Sequence, residues 1–183
     1  WEIHGTVSAD GQTLYFVSDR AGCLGGRDVY RCKKLANGEW SLAQNVGAPI
    51  NTPNDEDSPY FHPDGKTLFF SSNGETSIGG FDIYFTKVQE DGSWGEPVNM
   101  GYPLNTVDDD VFFTTNAKGD KGYYSSSKKD GFGQKDIYEI SFKEALTSEF
   151  AILKGYINTG AVKNLPVGIF IYVTYLTEGG DPQ

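Results

Sequence analysis

The chain has 183 residues, of which 38% are hydrophobic and 14% aromatic, a composition typical of a globular protein rather than a disordered one. Its formal net charge of −10 would repel a phosphate backbone, and no apolar run approaches the length of a membrane-spanning helix. Nucleic-acid binding and a membrane span are therefore not expected, while 23 glycines and 8 prolines predict many turns.

A repeat of 54 residues organises most of the chain. Asp10-Gly11 recurs as Asp64-Gly65 at this spacing, and Asp28-Val29-Tyr30 recurs as Asp82-Ile83-Tyr84 and again as Asp136-Ile137-Tyr138. No gap is needed to align the three copies. A fixed period of this kind indicates one structural unit that stacks on copies of itself.

Each copy is predicted to form four short strands. In the second copy, β-branched and aromatic residues bounded by Gly, Asn, Asp and Pro place them near 57–63, 66–73, 81–88 and 94–101. Pro63-Asp64-Gly65 predicts a tight hairpin between the first two strands. Leu68-Phe69-Phe70 is apolar on both faces, as expected for a strand between two sheets. A four-stranded unit repeated at about 50 residues predicts an all-β fold, a partial β-propeller of about three blades.

A family resemblance is carried by one stretch of the second copy, SPYFHPDGKTLFFSSNG, with GGFDIY after it. It resembles the WD40-like repeat (PD40) of TolB-type propellers, and the form preceded by NTPNDED is similar to repeats of OmpA-family cell-envelope proteins of Bacteroidetes, one of which belongs to the type IX secretion system. The resemblance covers residues 2–142. It implies a periplasmic propeller associated with the outer membrane, with neighbouring domains that bind peptidoglycan.

Domain boundaries follow from where the repeat stops. Residues 1–142 are predicted to be propeller blades of a larger ring, which the resemblance implies to be six-bladed. We expect the other blades to precede Trp1, and we expect the third copy, which has no outer strand after Tyr138, to be completed from elsewhere in the ring. Residues 143–149 read as a polar linker. Residues 150–183 resemble the start of a carboxypeptidase-regulatory-like β-sandwich, the alternative being that they complete the last blade.

Residues that recur at one offset in every copy are expected to be structural, because a single active site does not need three copies. Asp28, Asp82 and Asp136 are predicted to anchor a loop at the start of the third strand. The same reasoning assigns packing or scaffold roles to Trp40, Trp94, Asn51 and Asn105.

Departures from the repeat are candidates for special roles. Cys23 and Cys32 both occur in the first copy and are absent from the others, which suggests a disulfide in an oxidising periplasm, the alternative being two buried thiols. Clustered carboxylates between the copies are weak candidates for a calcium site, but they lack the spacing of an EF-hand loop. These residues are Asp55, Asp57, Asp108 and Asp110. A solvated rim is preferred, and no cofactor is expected.

Catalysis is not expected, because the chain has no G-x-S-x-G motif and its three arginines all lie in the first copy. The function predicted from the family resemblance is a protein-interaction scaffold that links a secretion or outer-membrane complex to peptidoglycan. Contacts are expected in the loops between second and third strands, at 19–27, 73–80 and 127–135. Their charged members are Arg20, Arg27, Glu75, Lys128 and Lys129. The alternative is a glycan-binding module that uses exposed aromatic residues such as Tyr102 and Phe132.

Overall fold

The computed structural model describes residues 1–116, 118–128 and 131–144. This part of the chain forms three antiparallel sheets, and none of its segments is a helix long and apolar enough to cross a membrane. The predicted sandwich at 150–183 and most of the predicted linker lie outside the described residues. The strands are β1 (Glu2–Val7), β2 (Thr13–Ser18), β3 (Asp28–Lys33), β4 (Gln44–Asn45), β5 (Glu56–Phe61), β6 (Thr67–Ser72), β7 (Asp82–Lys87), β8 (Val98–Asn99), β9 (Asp110–Thr115), β10 (Lys121–Ser126) and β11 (Asp136–Ser141).

Each sheet is a simple meander in which neighbouring strands follow each other in sequence. The first blade contains β1 to β4, the second contains β5 to β8, and the third contains β9 to β11 in the described residues. The hairpin glycines have positive φ, with Gly65 at 72° after Asp64, as the Asp-Gly pair predicts. The predicted all-β fold of repeated blades is confirmed.

The fourth strand is shorter than predicted. In the second blade only Val98–Asn99 pairs with β7, and Trp94 makes an isolated bridge to Val88. Pro97 lies between these two contacts and has no N–H to donate, so a continuous ladder cannot form there. Backbone groups of the third strand must therefore find other partners.

The central strand β6 contributes to two hydrophobic cores. Leu68 and Phe70 pack toward the first blade, while Phe69 packs toward the third blade and lies 4.9 Å from the Phe113 ring. Both predictions for this strand, apolar faces and burial between two sheets, are confirmed. Trp94 packs edge-on against Phe61 as expected, whereas its counterpart Trp40 is 40% exposed.

The first strand of every blade carries the same irregularity. His4, Ser58 and Phe112 occupy one repeat position, and all three have positive φ, at 49°, 48° and 60°. The strand register shifts at each of these positions, which marks a β-bulge. The three first strands contact one another in order, so the bulges lie on the inner side of the blade stack.

Candidate functional site: the loop face

The loop between the second and third strands of each blade is held by one aspartate. The Asp28 carboxylate accepts hydrogen bonds from the N–H groups of Leu24 and Gly25, at 2.8 and 3.1 Å. Equivalent bonds run from Ile78 N–H to Asp82 and from Phe132 N–H to Asp136, each at 2.7 Å. The scaffold role predicted for the repeated aspartates is confirmed. These three loops define the loop face.

A pair of asparagines covers the outer side of the third strand. Asn51 Oδ1 accepts from Val29 N–H at 2.8 Å, and its Nδ2 donates to the Val29 carbonyl at 2.8 Å and to Asn45 Oδ1 at 2.7 Å. Asn45 Nδ2 donates in turn to Asp28 at 2.6 Å. We call this arrangement the asparagine clasp. In the second blade it consists of Asn105 and Asn99, bound to Ile83 and Asp82. The clasp supplies the acceptor for the Val29 and Ile83 N–H groups, while their carbonyls also accept backbone N–H groups, from Val46 at 3.1 Å and from Met100 at 3.0 Å.

The tips of the first two loops lie close to the connection that leads into the next blade. A side chain at Gly25 would overlap the Asn54 carbonyl, and one at Gly79 would overlap the Val107 backbone. Only glycine permits this approach. The first two loops are therefore fixed both at the base and at the tip.

Arg27 joins the first two blades through an ion-pair network. Its Nη1 lies 2.7 Å from Asp57, its Nη2 lies 3.3 Å from Asp55, and its own N–H donates to Asp55 at 3.1 Å. The Asp57 carboxylate, which is almost buried, also contacts His4 Nδ1 and accepts from the Ser58 N–H at 2.6 Å. Asp55 and Asp57, which were weak candidates for calcium ligands, are therefore paired with Arg27, which was predicted to contact a partner. His4 was not among the candidates named from the sequence, because its contact with Asp57 depends on how two sheets lie side by side.

The same network shows what the inner cluster can do chemically. The Ser58 hydroxyl and His4 Nδ1 both lie against Asp57 Oδ1. In a nucleophilic triad the histidine stands between the hydroxyl and the carboxylate, whereas here the carboxylate stands between the other two groups. The arrangement suits inter-blade adhesion rather than activation of a hydroxyl.

The other charged loop residues lie in separate blades. Arg20 Nη2 is 2.9 Å from Glu2 Oε1, and Lys128 Nζ donates to a tyrosine hydroxyl of its own blade at 2.9 Å. Glu75 is exposed, and Lys129 lies outside the described residues. The described charges therefore do not gather into one ionic patch.

An exposed apolar side chain stands at one position of every loop. Leu24, Ile78 and Phe132 are 56%, 50% and 104% exposed. They are separated from one another by the repeat period of 54 residues. We call these residues the apolar row. Sequence reasoning named Phe132 as an exposed aromatic residue but missed the row, although its signal was present as an apolar residue at one offset in all three copies.

Buried acids begin the first strands of the second and third blades. Glu56 accepts hydrogen bonds from the Thr52 N–H and hydroxyl and from the Ser72 hydroxyl, at 3.1, 2.7 and 3.1 Å. Burial raises the pKa of the Glu56 carboxyl to about 7, and it also raises the pKa of Asp110, which accepts from Thr106. Among the described residues, no group of three or more His, Cys, Asp or Glu side chains could hold a metal ion.

The two cysteines are free thiols. Cys23 Sγ lies 3.2 Å from the Ser18 carbonyl, whereas Cys32 pairs in register with Leu14. Four residues of strand separate Ser18 from Leu14, about 13 Å, well beyond the reach of about 7 Å between bridged Cα atoms. Of the two alternatives, this geometry agrees with free thiols and not with the suggested disulfide, because one thiol lies at each end of the sheet.

Cavities beside the second blade include two with large volumes. One, of about 380 Å³, lies between the first two blades and includes Tyr15, Arg31 and Trp94. The other, of about 550 Å³, opens at the loop face, and we call it the Tyr84 cavity. Its lining includes Ile50, Thr52, Phe70, Glu75, Tyr84 and Glu96.

Comparison with known proteins places this architecture. No family model matches the chain, and no curated protein matches it. The solved structure of TolB from Acinetobacter baumannii matches 75% of this chain at a TM-score of 0.50 and 16% sequence identity. The chain has a TolB-like propeller fold.

The chain spans less than a third of the length of two solved structures that it matches. The aligned region covers 29% of the TolB chain. A mutant of puromycin hydrolase complexed with PGG matches 77% of this chain and 27% of its own, at a TM-score of 0.42 and 8% identity. That second likeness is too distant to bear on function, and the TolB-like likeness describes the fold alone.

Proposed function

We propose that this TolB-like propeller segment is a non-catalytic protein-interaction module of the bacterial cell envelope. The observation that carries the proposal is the apolar row, Leu24, Ile78 and Phe132, which is displayed on three loops with the same construction. Exposed apolar patches mark surfaces that a partner covers, and in this proposal the row supplies one apolar group from each loop to such a patch.

Rigid display makes this surface suited to binding. Each loop is held by an aspartate, and the first two are also seated against the following connection. Little backbone freedom is lost when such loops meet a partner, so the entropic cost of association is low. Apolar anchors surrounded by polar groups are also the usual pattern of binding hot spots. Arg20, Glu75 and Lys128 provide charges on the same loops.

The envelope setting is supported by the sequence resemblance to OmpA-family repeats. In this proposal the segment lies in the periplasm near the outer membrane, and its partners are envelope or secretion-system proteins. Neighbouring domains supply the link to peptidoglycan. The propeller itself provides a rigid docking surface.

Crosslinking in the native bacterium tests the proposal. The tagged protein is compared with a triple variant, Leu24→Ser, Ile78→Ser and Phe132→Ser, and co-purifying proteins are identified by mass spectrometry. We expect secretion or outer-membrane components with the wild type and a loss of at least tenfold with the triple variant. Leu35→Ser changes an exposed leucine at the opposite end of the blade and should retain them. If the triple variant and Leu35→Ser recover the same amount of these partners, the loop face is not the binding surface.

A glycan-binding module is the second candidate, favoured by the exposure of Tyr102 and Phe132, at 83% and 104%. Flat aromatic faces in solvent can stack on sugar rings. Binding of the protein to a glycan array, lost in Tyr102→Ala, would favour this function. Recovery of cell-wall fragments without proteins in the crosslinking experiment would point the same way.

A further inference from the structure

Each blade contains the same pair of neighbouring aromatic rings near the loop face. The centroids of Phe16 and Tyr30 are 6.1 Å apart in the first blade. The corresponding separations are 5.9 Å for Phe70 and Tyr84 and 5.8 Å for Tyr124 and Tyr138. The pair is therefore a constant part of the unit, and differences in what covers it are informative.

In the first and third blades, a cation from the adjoining loop covers the aromatic pair. The Arg20 guanidinium lies 4.8 Å from the Tyr30 centroid, and Lys128 Nζ lies 4.4 Å from the Tyr138 centroid. Both distances are within the range of a cation–π interaction. Arg20 and Lys128 occupy one repeat position, and the residue at that position in the second blade is Gly74.

The second blade has a cavity where its neighbours have this cation. The Tyr84 cavity, about 550 Å³, is lined by Gly74 and by both rings of the pair. Glu75 and Glu96 are exposed at its rim, whereas the first blade has the uncharged Ala21 and Leu42 at these positions. Compared with the first blade, the second blade has one positive charge fewer and two negative charges more around the same aromatic pair.

We infer that the Tyr84 cavity receives a lysine or arginine side chain from a partner protein. The incoming cation takes the place that Arg20 and Lys128 fill in the adjoining blades. The face of Tyr84 attracts it through the ring quadrupole, and Glu75 and Glu96 attract it through charge. This inference rests on the proposed function, because the cavity opens on the loop face, and it specifies the partner as a segment with a basic residue.

A lysine introduced at position 74 would place a cation inside the cavity, and this variant tests the inference most directly. A side chain added at Gly74 meets only Ser72 Oγ at 3.4 Å and Asn54 Nδ2 at 3.8 Å, which are ordinary contacts. Gly74→Lys should therefore fold normally and close the cavity from within. Glu75→Gln together with Glu96→Gln removes the rim charges and leaves the cavity open.

The test is an NMR titration of the 183-residue chain with the acetylated, amidated peptide Gly-Ser-Lys-Ser-Gly and with the same peptide containing norleucine. We expect the lysine peptide to shift the amide signals of Thr76 and Tyr84 and to bind at least about fivefold more tightly than the norleucine peptide. Gly74→Lys should abolish the shifts, and the double glutamine variant should weaken binding about fivefold. Leu35→Ser is the control and should bind as the wild type does.

Several outcomes would overturn the inference. Equal binding of both peptides, or unchanged binding in Gly74→Lys, would show that no cation is selected at this cavity. Binding of choline without binding of the lysine peptide would replace the partner protein with a small quaternary ammonium ligand. If the double glutamine variant keeps its crosslinked partners while the triple apolar-row variant loses them, the proposed function stands and the cavity has no part in it.

Discussion

The buried carboxyl of Glu56 should make the chain less stable as the pH rises. Its side chain is 0% exposed, and burial raises its pKa from 4.5 to about 7. Between these two values the folded chain retains a proton that the unfolded chain has released. The unfolding free energy therefore falls across this window, by about 3 kcal/mol in total, and is level above it.

Urea unfolding at pH 5 and pH 8 measures this effect. The wild type should lose about 2–3 kcal/mol more than Glu56→Gln between these pH values, because glutamine does not ionise. Other groups titrate equally in both proteins and cancel from the comparison. Glu90→Gln, at an exposed glutamate, should keep the wild-type difference. If Glu56→Gln and the wild type lose the same free energy, Glu56 is not a buried acid with a raised pKa.

Three further substitutions test how the blades are held. Asn51→Ala removes the acceptor of a buried N–H and should cost about 2–3 kcal/mol in urea unfolding, whereas Asn37→Ala in an exposed turn should cost under about 1. Gly79→Ala should cost about 1–3 kcal/mol because its methyl group meets backbone, while Gly133→Ala meets nothing closer than 3.8 Å and should be near neutral. Phe69→Ala should cost about 3–5 kcal/mol by opening the core between the second and third blades. Equal effects within either matched pair, or a loss below about 1 kcal/mol for Phe69→Ala, would contradict the packing described.

The architecture of the blades could be predicted from the sequence because its signals are local and repeated. Asp64-Gly65 specifies a hairpin, and Leu68-Phe69-Phe70 specifies a strand that is covered on both sides. The loop role of Asp28 followed from its recurrence alone. Each of these patterns lies within one repeat unit, so aligning the copies at the period of 54 residues makes it visible in the sequence.

Contacts between units were harder to predict. The pairing of Arg27 with Asp57 and His4 depends on how two sheets are placed side by side, and these residues do not all recur. The length of the fourth strand was overestimated, because side chains such as Asn51 can take over the bonds of a missing strand partner. The sequence left the state of the cysteines open, because the sheet, rather than their separation in sequence, decides which end each thiol occupies.

The asparagine clasp has a consequence for solubility. An unpaired outer strand offers free N–H and C=O groups to any extended chain, and such edges promote aggregation. Asn51 and Asn105 occupy the Val29 and Ile83 backbone groups with side-chain atoms. A side-chain amide cannot pass pairing on to another strand, so it terminates the sheet instead of extending it. Chain-to-chain pairing at the rim is thus discouraged while the loop face stays open to partners.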